Sequence, residues 1–177
     1  MPSSYPESIA DIIQALATEI KPESVIDVGP GRGKYGLLLR EYFPPENQGK
    51  GGWPYVKTID CLEVFEPYIT DVHRTVYDNI FIGNALEFEF GQYDLYMMID
   101  VVEHWPKEKA FELLDKCVEK GKVLVSIPKN VGEQGAHYGN EWECHISSWH
   151  KDDFKDRYCI TTDRSNDCSW ILAFTKK

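Results

Sequence analysis

The fold is decided by the stretch Val25-Ile26-Asp27-Val28-Gly29-Pro30-Gly31-Arg32-Gly33-Lys34-Tyr35-Gly36. Its apolar start is typical of a buried parallel strand, and its glycines permit a tight turn where a ligand can approach the backbone closely. A helix-like segment follows over residues 35–40. A strand, a glycine turn and a helix in this order predict a nucleotide-like ligand at the tip of the first strand.

Three kinds of glycine loop compete for this stretch, and spacing separates them. A phosphate-binding loop of the Walker A type needs four residues between its first glycine and Gly-Lys-Ser/Thr, whereas Gly29 lies three residues before Gly33 and a tyrosine follows Lys34. The dinucleotide pattern G-x-G-x-x-G is met from Gly31 to Gly36, but a pyrophosphate site leaves Asp27 unexplained. Asp27 therefore argues against the dinucleotide interpretation.

The segment from Asp27 to Gly33 resembles motif I (D/E-x-G-x-G-x-G) of the class I methyltransferases that use S-adenosyl-L-methionine. In that family the glycines pass beneath the cofactor, whose sulfonium and ammonium groups suit an acidic rim. The resemblance implies cofactor contacts from this first segment of the chain, namely Asp27, Gly29, Pro30, Gly31, Gly33 and Tyr35.

Length and composition bound the function. A chain of 177 residues fits one domain, 1–177, and its net charge of −10 and pI near 4.9 disfavour a nonspecific grip on nucleic acid. The sequence shows no signal peptide, no long apolar run and no C-x-x-C pair among its five cysteines, so we expect a reduced cytoplasmic protein. Cys61 and Cys117 lie in apolar segments and are expected in the core.

Strand and helix patterns alternate along the chain. A helix led by Pro6 precedes the first strand, and further helices are predicted at 34–42, at 67–76 and between Pro106 and Gly121. Strands are predicted at 25–28, 56–62, 79–82, 95–99, 122–127, 158–162 and 170–174. The last two are short and close together, which favours an antiparallel pair. The prediction is an α/β Rossmann-like fold: a seven-stranded, mostly parallel sheet with that pair at its end and helices on both faces.

Further matches to the family follow in the family's order. Glu63 stands where the family places the acid that binds both ribose hydroxyls, since a carboxylate offers two acceptors to a vicinal diol. Asp60 is the competing acid, but it lies within the predicted strand. The resemblance also implies cofactor contacts from Val64, and from Asn84 and Ala85 beside adenine.

Residues 100–104 read Asp-Val-Val-Glu-His and resemble the family's motif IV, which faces the transferred methyl group. Asp100 and Val101 are therefore expected at the cofactor, and Glu103 and His104 at the reacting atoms. An imidazole titrates near neutral pH, so His104 can deprotonate a substrate hydroxyl. The alternative is that Glu103 and His104 only cap the helix that follows Pro106.

Residues 128–150 form a long segment after the fifth strand, and we predict that they are a substrate-side lid. The segment is rich in side chains that bind ligands or stack on rings: His137, Tyr138, Trp142, Glu143, His145 and Trp149. It resembles somewhat the corresponding segment of the 2′-O-methyltransferases that act on small-RNA 3′ ends, which hold a divalent metal. That resemblance implies an alternative metal set of Asp100, Glu103, His104 and His145, with oxygen and imidazole ligands suited to Mg, Mn or Fe.

The leading hypothesis is an enzyme that moves a methyl group from S-adenosyl-L-methionine to an oxygen or nitrogen of a small molecule, leaving S-adenosylhomocysteine. Its catalytic residues would be His104, Glu103 and His145. Three alternatives stay open: a metal-assisted RNA 2′-O-methyltransferase, a catalytically silent cofactor-binding subunit, and a nicotinamide dehydrogenase. We expect no membrane partner, no nucleic-acid partner under the leading hypothesis, and a possible homodimer.

Overall fold

The computed structural model describes residues 4–52, 54–130, 134–136 and 139–177, and its centre is one seven-stranded sheet. The strands are β1 (Ser24–Val28), β2 (Thr58–Glu63), β3 (Asn79–Ile82), β4 (Leu95–Ile99), β5 (Lys122–Pro128), β6 (Tyr158–Asp163) and β7 (Ser169–Lys176). Their order across the sheet is β3-β2-β1-β4-β5-β7-β6. Strands β1 to β5 are parallel, and β7 is antiparallel to both β5 and β6. This confirms the predicted sheet, including its antiparallel end.

Helices cover both faces of the sheet, as predicted. They are α1 (Pro6–Ala15), α2 (Lys34–Tyr42), α3 (Asp71–Val76), α4 (Lys107–Val118) and α5 (Asp152–Lys155). A π-helical turn, Leu16–Ile20, extends α1, and short 3-10 turns lie at Pro45–Asn47, Glu66–Tyr68, Val102–His104 and Glu141–Glu143. Among the described residues, no helix has the length and apolar character needed to cross a bilayer.

Alternating side chains of the central strands pack into two separate cores, one on each face of the sheet. Val25 of β1 packs in the core under α1, α2 and α3, whereas Ile26 and Val28 pack in the core under α4 and α5. Alternate residues of a strand point to opposite faces, so one apolar strand serves both layers. Cys61 and Cys117 are fully buried, one in each core, which confirms their predicted place.

The helix predicted at 67–76 is shorter than expected. The structure has the 3-10 turn Glu66–Tyr68, an extended Ile69, and then α3, which begins only after Thr70. Thr70 and His73 form a capping box: the Thr70 backbone N–H donates to His73 Nδ1 at 3.1 Å. A capped start fixes the first turn of a helix at that residue, so the apolar pattern upstream of Thr70 does not extend the helix.

The strand order reverses beside β1, because the chain runs outward through β2 and β3 and then returns to β4 on the other side. Open α/β sheets bind ligands at such a switch point, outside the carboxyl ends of the strands. Strands β1, β2, β4 and β5 all end at this edge, so the segments that follow them begin there. The fold therefore places the predicted motifs together.

Candidate active site

A cavity of about 530 Å³ opens at the carboxyl ends of β1, β2 and β4. Most of the predicted site residues lie on its wall: Gly29, Pro30, Gly31, Tyr35, Glu63, Val64, Ala85, Asp100, Val101, Glu103, His104 and His145. Three predicted contacts, Asp27, Gly33 and Asn84, are not on this wall. The topology thus gathers residues that are up to 116 positions apart in the chain, from Gly29 to His145.

The glycine loop after β1 forms the floor of the cavity. Gly29 has a φ of 71°, and a side chain there would bring a Cβ within 2.8 Å of Val101 Cγ2. Only glycine combines this left-handed backbone with so close an approach. Gly33, with a φ of 77°, caps the start of α2 and shapes the loop from outside the cavity.

His73 supports this loop from α3, and sequence reasoning missed it. Because its Nδ1 accepts from the Thr70 backbone N–H, its Nε2 carries the proton and donates to the Gly31 carbonyl oxygen at 3.0 Å. Burial lowers the pKa of His73, which agrees with a neutral ring. Gly31 and His73 are 42 residues apart, so no local sequence pattern predicts their contact.

Asp27 lies beneath the cavity, where it positions other groups. Its Oδ2 accepts from the Tyr77 hydroxyl at 2.6 Å, and that hydroxyl accepts in turn from the Gly36 backbone N–H at 3.1 Å. The carboxyl is 1% exposed, and burial raises its pKa from 3.8 to about 6. The motif I acid therefore joins β1 to α2 through Tyr77.

Glu63 ends β2 on the cavity wall. One carboxylate oxygen accepts from the Phe65 backbone N–H at 2.8 Å, and burial raises its pKa from 4.5 to about 7. Asp60 lies inside the sheet, where it accepts from the Tyr93 hydroxyl at 2.6 Å and from Asn79. The side-chain oxygen of Asn84 accepts from the Leu86 backbone N–H at 3.0 Å and so closes a turn.

Ser4 joins three side chains at the other end of the cavity. Its hydroxyl donates to Asp100 Oδ2 at 2.6 Å and accepts from Lys34 Nζ at 3.0 Å and from the Tyr35 hydroxyl at 3.1 Å. Asp100 has a φ of 56°, a left-handed conformation that is uncommon for a residue with a side chain and that clusters at functional sites. Burial raises the pKa of Asp100 and lowers that of Lys34.

In the sequence, Lys34 stands out only as part of the glycine motif, but its place in the structure makes it a functional candidate. Among the described residues on the cavity wall it is the one lysine or arginine. Its position directly after Gly33 was the available signal. Ser4 had no such signal, because it meets Asp100 across 96 residues.

Glu103, His104 and His145 meet on the same wall. Their ligand atoms lie within 4.8 Å of one another. Glu103 is fully buried, and neither of its carboxylate oxygens has a hydrogen-bond partner. The cap alternative is wrong: α4 has no side-chain cap, and Pro106 is its N-cap residue.

The ring of His104 has a defined orientation. Its Nδ1 lies 3.0 Å from the Cys144 carbonyl oxygen, which can only accept, so Nδ1 carries the proton and Nε2 keeps its lone pair. Burial lowers the pKa of His104, which favours the neutral ring. The geometry suits either a general base or a metal ligand.

The predicted lid is tied to the segment after β4. The backbone N–H groups of Ile146 and Ser147 donate to the Glu103 carbonyl oxygen at 2.9 and 3.0 Å, and Glu143 accepts from the Tyr68 hydroxyl at 2.9 Å. Trp142 is on the cavity wall and 42% exposed. Trp149, by contrast, is 5% exposed and packs in the core, so it is not available for stacking. His137 and Tyr138 lie outside the described residues.

Known structures share this fold at low sequence identity, although no protein-family model and no curated protein matches the chain. The PH0226 protein from Pyrococcus horikoshii OT3 superposes with a TM-score of 0.68 at 14% identity, over 99% of this chain and 93% of that one. The O-methyltransferase NcsB1 from neocarzinostatin biosynthesis, bound to S-adenosylhomocysteine and 1,4-dihydroxy-2-naphthoic acid, gives 0.61 at 14% identity over 97% of this chain. That match spans only 57% of NcsB1.

A third similar structure is the methyltransferase domain of bacterial CtHen1, with a TM-score of 0.56 at 16% identity over 96% of this chain and 97% of that one. Together with the strand order and the antiparallel β7, these likenesses show that the chain has the class I methyltransferase fold. Fold alone does not identify an activity, which depends on the residues of the site.

Proposed function

We propose that the protein is an S-adenosyl-L-methionine-dependent methyltransferase acting on an oxygen or nitrogen of a small molecule. The observation that carries this proposal is the cavity at the switch point of the sheet, where the glycine loop, Glu63, Lys34 and Asp100 meet. NcsB1, which has the same fold, was solved with S-adenosylhomocysteine bound.

The residues present fit the cofactor from end to end. Glu63 offers carboxylate oxygens to a ribose diol. Gly29 has no side chain and packs closely on Val101, so no side chain at this position stands between the loop backbone and the cofactor. Lys34 provides a cation for a carboxylate, while Asp100 provides an anion for an ammonium group. The pair of opposite charges at one end of the cavity matches the zwitterionic amino-acid end of this cofactor.

The cofactor, when bound, supplies a methyl group already activated by its sulfonium sulfur. The protein then has to orient the nucleophile, exclude water and accept one proton. His104 Nε2 can accept that proton, because Nδ1 donates to the Cys144 carbonyl oxygen and Nε2 keeps its lone pair. The described part of residues 128–150 lines the cavity next to the end of β5, and a bound acceptor there would limit access of water to the reacting atoms.

Isothermal titration calorimetry of cofactor-stripped protein with S-adenosylhomocysteine tests this proposal. We expect saturable binding at one site, and loss of binding in Gly31→Asp, where a charged side chain would enter the floor of the cavity. A circular dichroism spectrum must show that the variant is folded. Absence of binding in folded wild-type protein would contradict the proposal, and binding of NAD instead would favour a dehydrogenase.

A second candidate function is metal-assisted 2′-O-methylation of RNA. The observation that favours it is the cluster of Glu103, His104 and His145, in which the buried Glu103 carboxylate lacks any hydrogen-bond partner. One carboxylate and two imidazoles suit Mn, Fe or Mg, and a metal held there would acidify a substrate hydroxyl. Asp100, the fourth residue of the predicted set, is outside this cluster and is engaged by Ser4.

Electron paramagnetic resonance of Mn²⁺ distinguishes the two candidates. The metal hypothesis requires that wild-type protein bind Mn²⁺ and that His145→Ala lose most of that affinity. His150→Ala is the matched control, since His150 is exposed and lies off the cavity wall. Equal Mn²⁺ binding by the wild type and His145→Ala would remove the second candidate.

A further inference from the structure

The outer wall of the cavity carries two large aromatic rings that are open to solvent. Tyr5, from the segment before α1, is 47% exposed, and Trp142, from the 3-10 turn Glu141–Glu143, is 42% exposed. Rings of this size usually bury most of their area in a fold, so two exposed rings at one cavity indicate a ligand surface. Neither ring belongs to the glycine loop or to β2. Tyr5 follows Ser4, which contacts Lys34 and Asp100, whereas Trp142 comes from the segment after β5.

The side chains of the cavity wall favour a neutral acceptor over an anionic one. Asp100, Glu103 and Glu143 are all buried or nearly so, and Lys34 is the one described lysine or arginine among the wall residues. Lys34 is already engaged by Ser4 and lies near Asp27 and Asp100. A phosphate or carboxylate on the acceptor would therefore be buried without a lysine or arginine of its own, which costs more free energy than burying a neutral group.

Glu103 and Trp105 bring buried polar groups to the cavity wall. Both oxygens of Glu103 and the indole Nε1 of Trp105 are buried without a hydrogen bond in the structure. Asn130 and Gln134 are also on the wall, and the Gln134 side-chain amide donates to the Glu143 carbonyl oxygen at 2.7 Å. An entirely apolar acceptor would leave the buried groups unsatisfied, and leaving such groups unpaired is costly.

We propose that the acceptor is a neutral, hydroxyl-rich molecule of the sugar class, with the apolar face of a pyranose ring on Trp142. Hydroxyls both donate and accept, so they can satisfy the carboxylate oxygens and the indole N–H together. This inference rests on the proposed function and names the substrate class of the same site. It selects oxygen as the methylated atom.

The reaction balances with groups already named. The acceptor hydroxyl oxygen forms a bond to the methyl carbon as the sulfur–methyl bond breaks, and the bonding electrons return to sulfur, which becomes a neutral thioether. The hydroxyl proton passes to His104 Nε2, whose lone pair is left open by the contact between Nδ1 and Cys144. The products are a methyl ether and S-adenosylhomocysteine.

Transfer of tritium from S-adenosyl-L-methionine labelled in the methyl group tests the inference. The acceptors are neutral methyl glycosides of hexoses and 6-deoxyhexoses, with glucose 6-phosphate, catechol, glucosamine and a short RNA as comparators. We expect at least tenfold faster transfer to a neutral glycoside than to any comparator. Faster transfer to a comparator, or no transfer to any glycoside by protein that binds S-adenosylhomocysteine, would overturn the sugar assignment.

Variants of the aromatic wall give a second measurement. Trp142→Ala should raise the KM for the best glycoside about tenfold, while calorimetric binding of S-adenosylhomocysteine stays unchanged, and Trp142→Phe should restore most of the loss. Tyr42→Ala is the matched control, because Tyr42 is 55% exposed and lies off the cavity. An unchanged KM in Trp142→Ala would remove the stacking role. Failure of S-adenosylhomocysteine to bind the wild type would instead overturn the proposed function.

Discussion

Lys34 brings a positive charge to a wall that otherwise carries carboxylates. Its ammonium group donates to Ser4, and Ser4 donates to Asp100, so one hydroxyl separates two opposite charges. Lys34 is more than half buried, and burial lowers its pKa, yet the two nearby aspartates favour the charged form. A ligand with both a carboxylate and an ammonium group can use both side chains.

We predict that Lys34→Met weakens binding of S-adenosylhomocysteine by about tenfold or more, the order expected for a hydrogen bond between charged groups. Binding of 5′-methylthioadenosine, which lacks the amino-acid end, should not change. Calorimetry with both ligands measures the difference. Lys50→Met, at an exposed loop position, is the control, and an equal loss for both ligands would show that Lys34 does not bind the amino-acid end.

We predict that Glu63 makes cofactor binding depend on pH. Its pKa of about 7 in the unliganded protein means that the carboxyl is mostly protonated below that pH, whereas a ribose diol needs the carboxylate as a double acceptor. Below pH 7, the Glu63 carboxyl must therefore lose its proton before the ligand can bind. Affinity for S-adenosylhomocysteine should fall by up to about tenfold per pH unit below 7 and level off above it.

Calorimetry between pH 5.5 and 8.5 checks this dependence. Glu63→Gln should bind more weakly at pH 8 and show a flatter profile. A wild-type profile that is flat across the range would refute the role given to Glu63.

At the scale of elements, the close contact of α2 with the segment after α3 depends on one glycine. A Cβ at Gly36 would lie 2.5 Å from Tyr77 Cζ and 2.7 Å from Val76 Cγ2. Alanine normally stabilises a helix by up to about 1 kcal/mol relative to glycine. Here the overlap outweighs that gain, because Tyr77 is held by Asp27 and cannot retreat without breaking a buried hydrogen bond.

We predict that Gly36→Ala destabilises the protein by about 1–3 kcal/mol, as expected for overpacking. Urea unfolding measures the change. Gly135→Ala is the control, since a Cβ there has nothing within 4 Å. A gain in stability for Gly36→Ala would mean that α2 shifts freely against Tyr77.

Elements with strong periodic patterns could be predicted from the sequence, and those set by distant contacts could not. The strands at 95–99 and 79–82 are at their predicted bounds, because apolar content and flanking turns determine them locally. Helix α3 begins later than predicted because Thr70 and His73 cap it. Trp149 is buried because it packs against Phe111 of α4 and Phe154 of α5. Ser4 reaches the cavity through tertiary contacts alone.

At the scale of the whole molecule, ligand binding should raise the melting temperature. Any ligand that binds only the folded state stabilises it by mass action, about 2.7 kcal/mol at a concentration of 100 Kd. For a chain of this size we predict that S-adenosylhomocysteine at that concentration raises the Tm by roughly 5–10 °C. Differential scanning fluorimetry measures the shift; NAD should give none, and a shift with NAD alone would contradict the proposed cofactor.

The antiparallel β7 has a practical consequence for anyone who produces the protein. Because Pro128 of β5 pairs with Ser169 and Val123 pairs with Phe174, β7 runs away from the cavity and ends at the opposite edge of the sheet. Ser4, in contrast, stands on the cavity wall. A bulky label attached at Ser4 would therefore stand on the cavity wall, whereas one attached at Lys176 would stand at the opposite edge of the sheet.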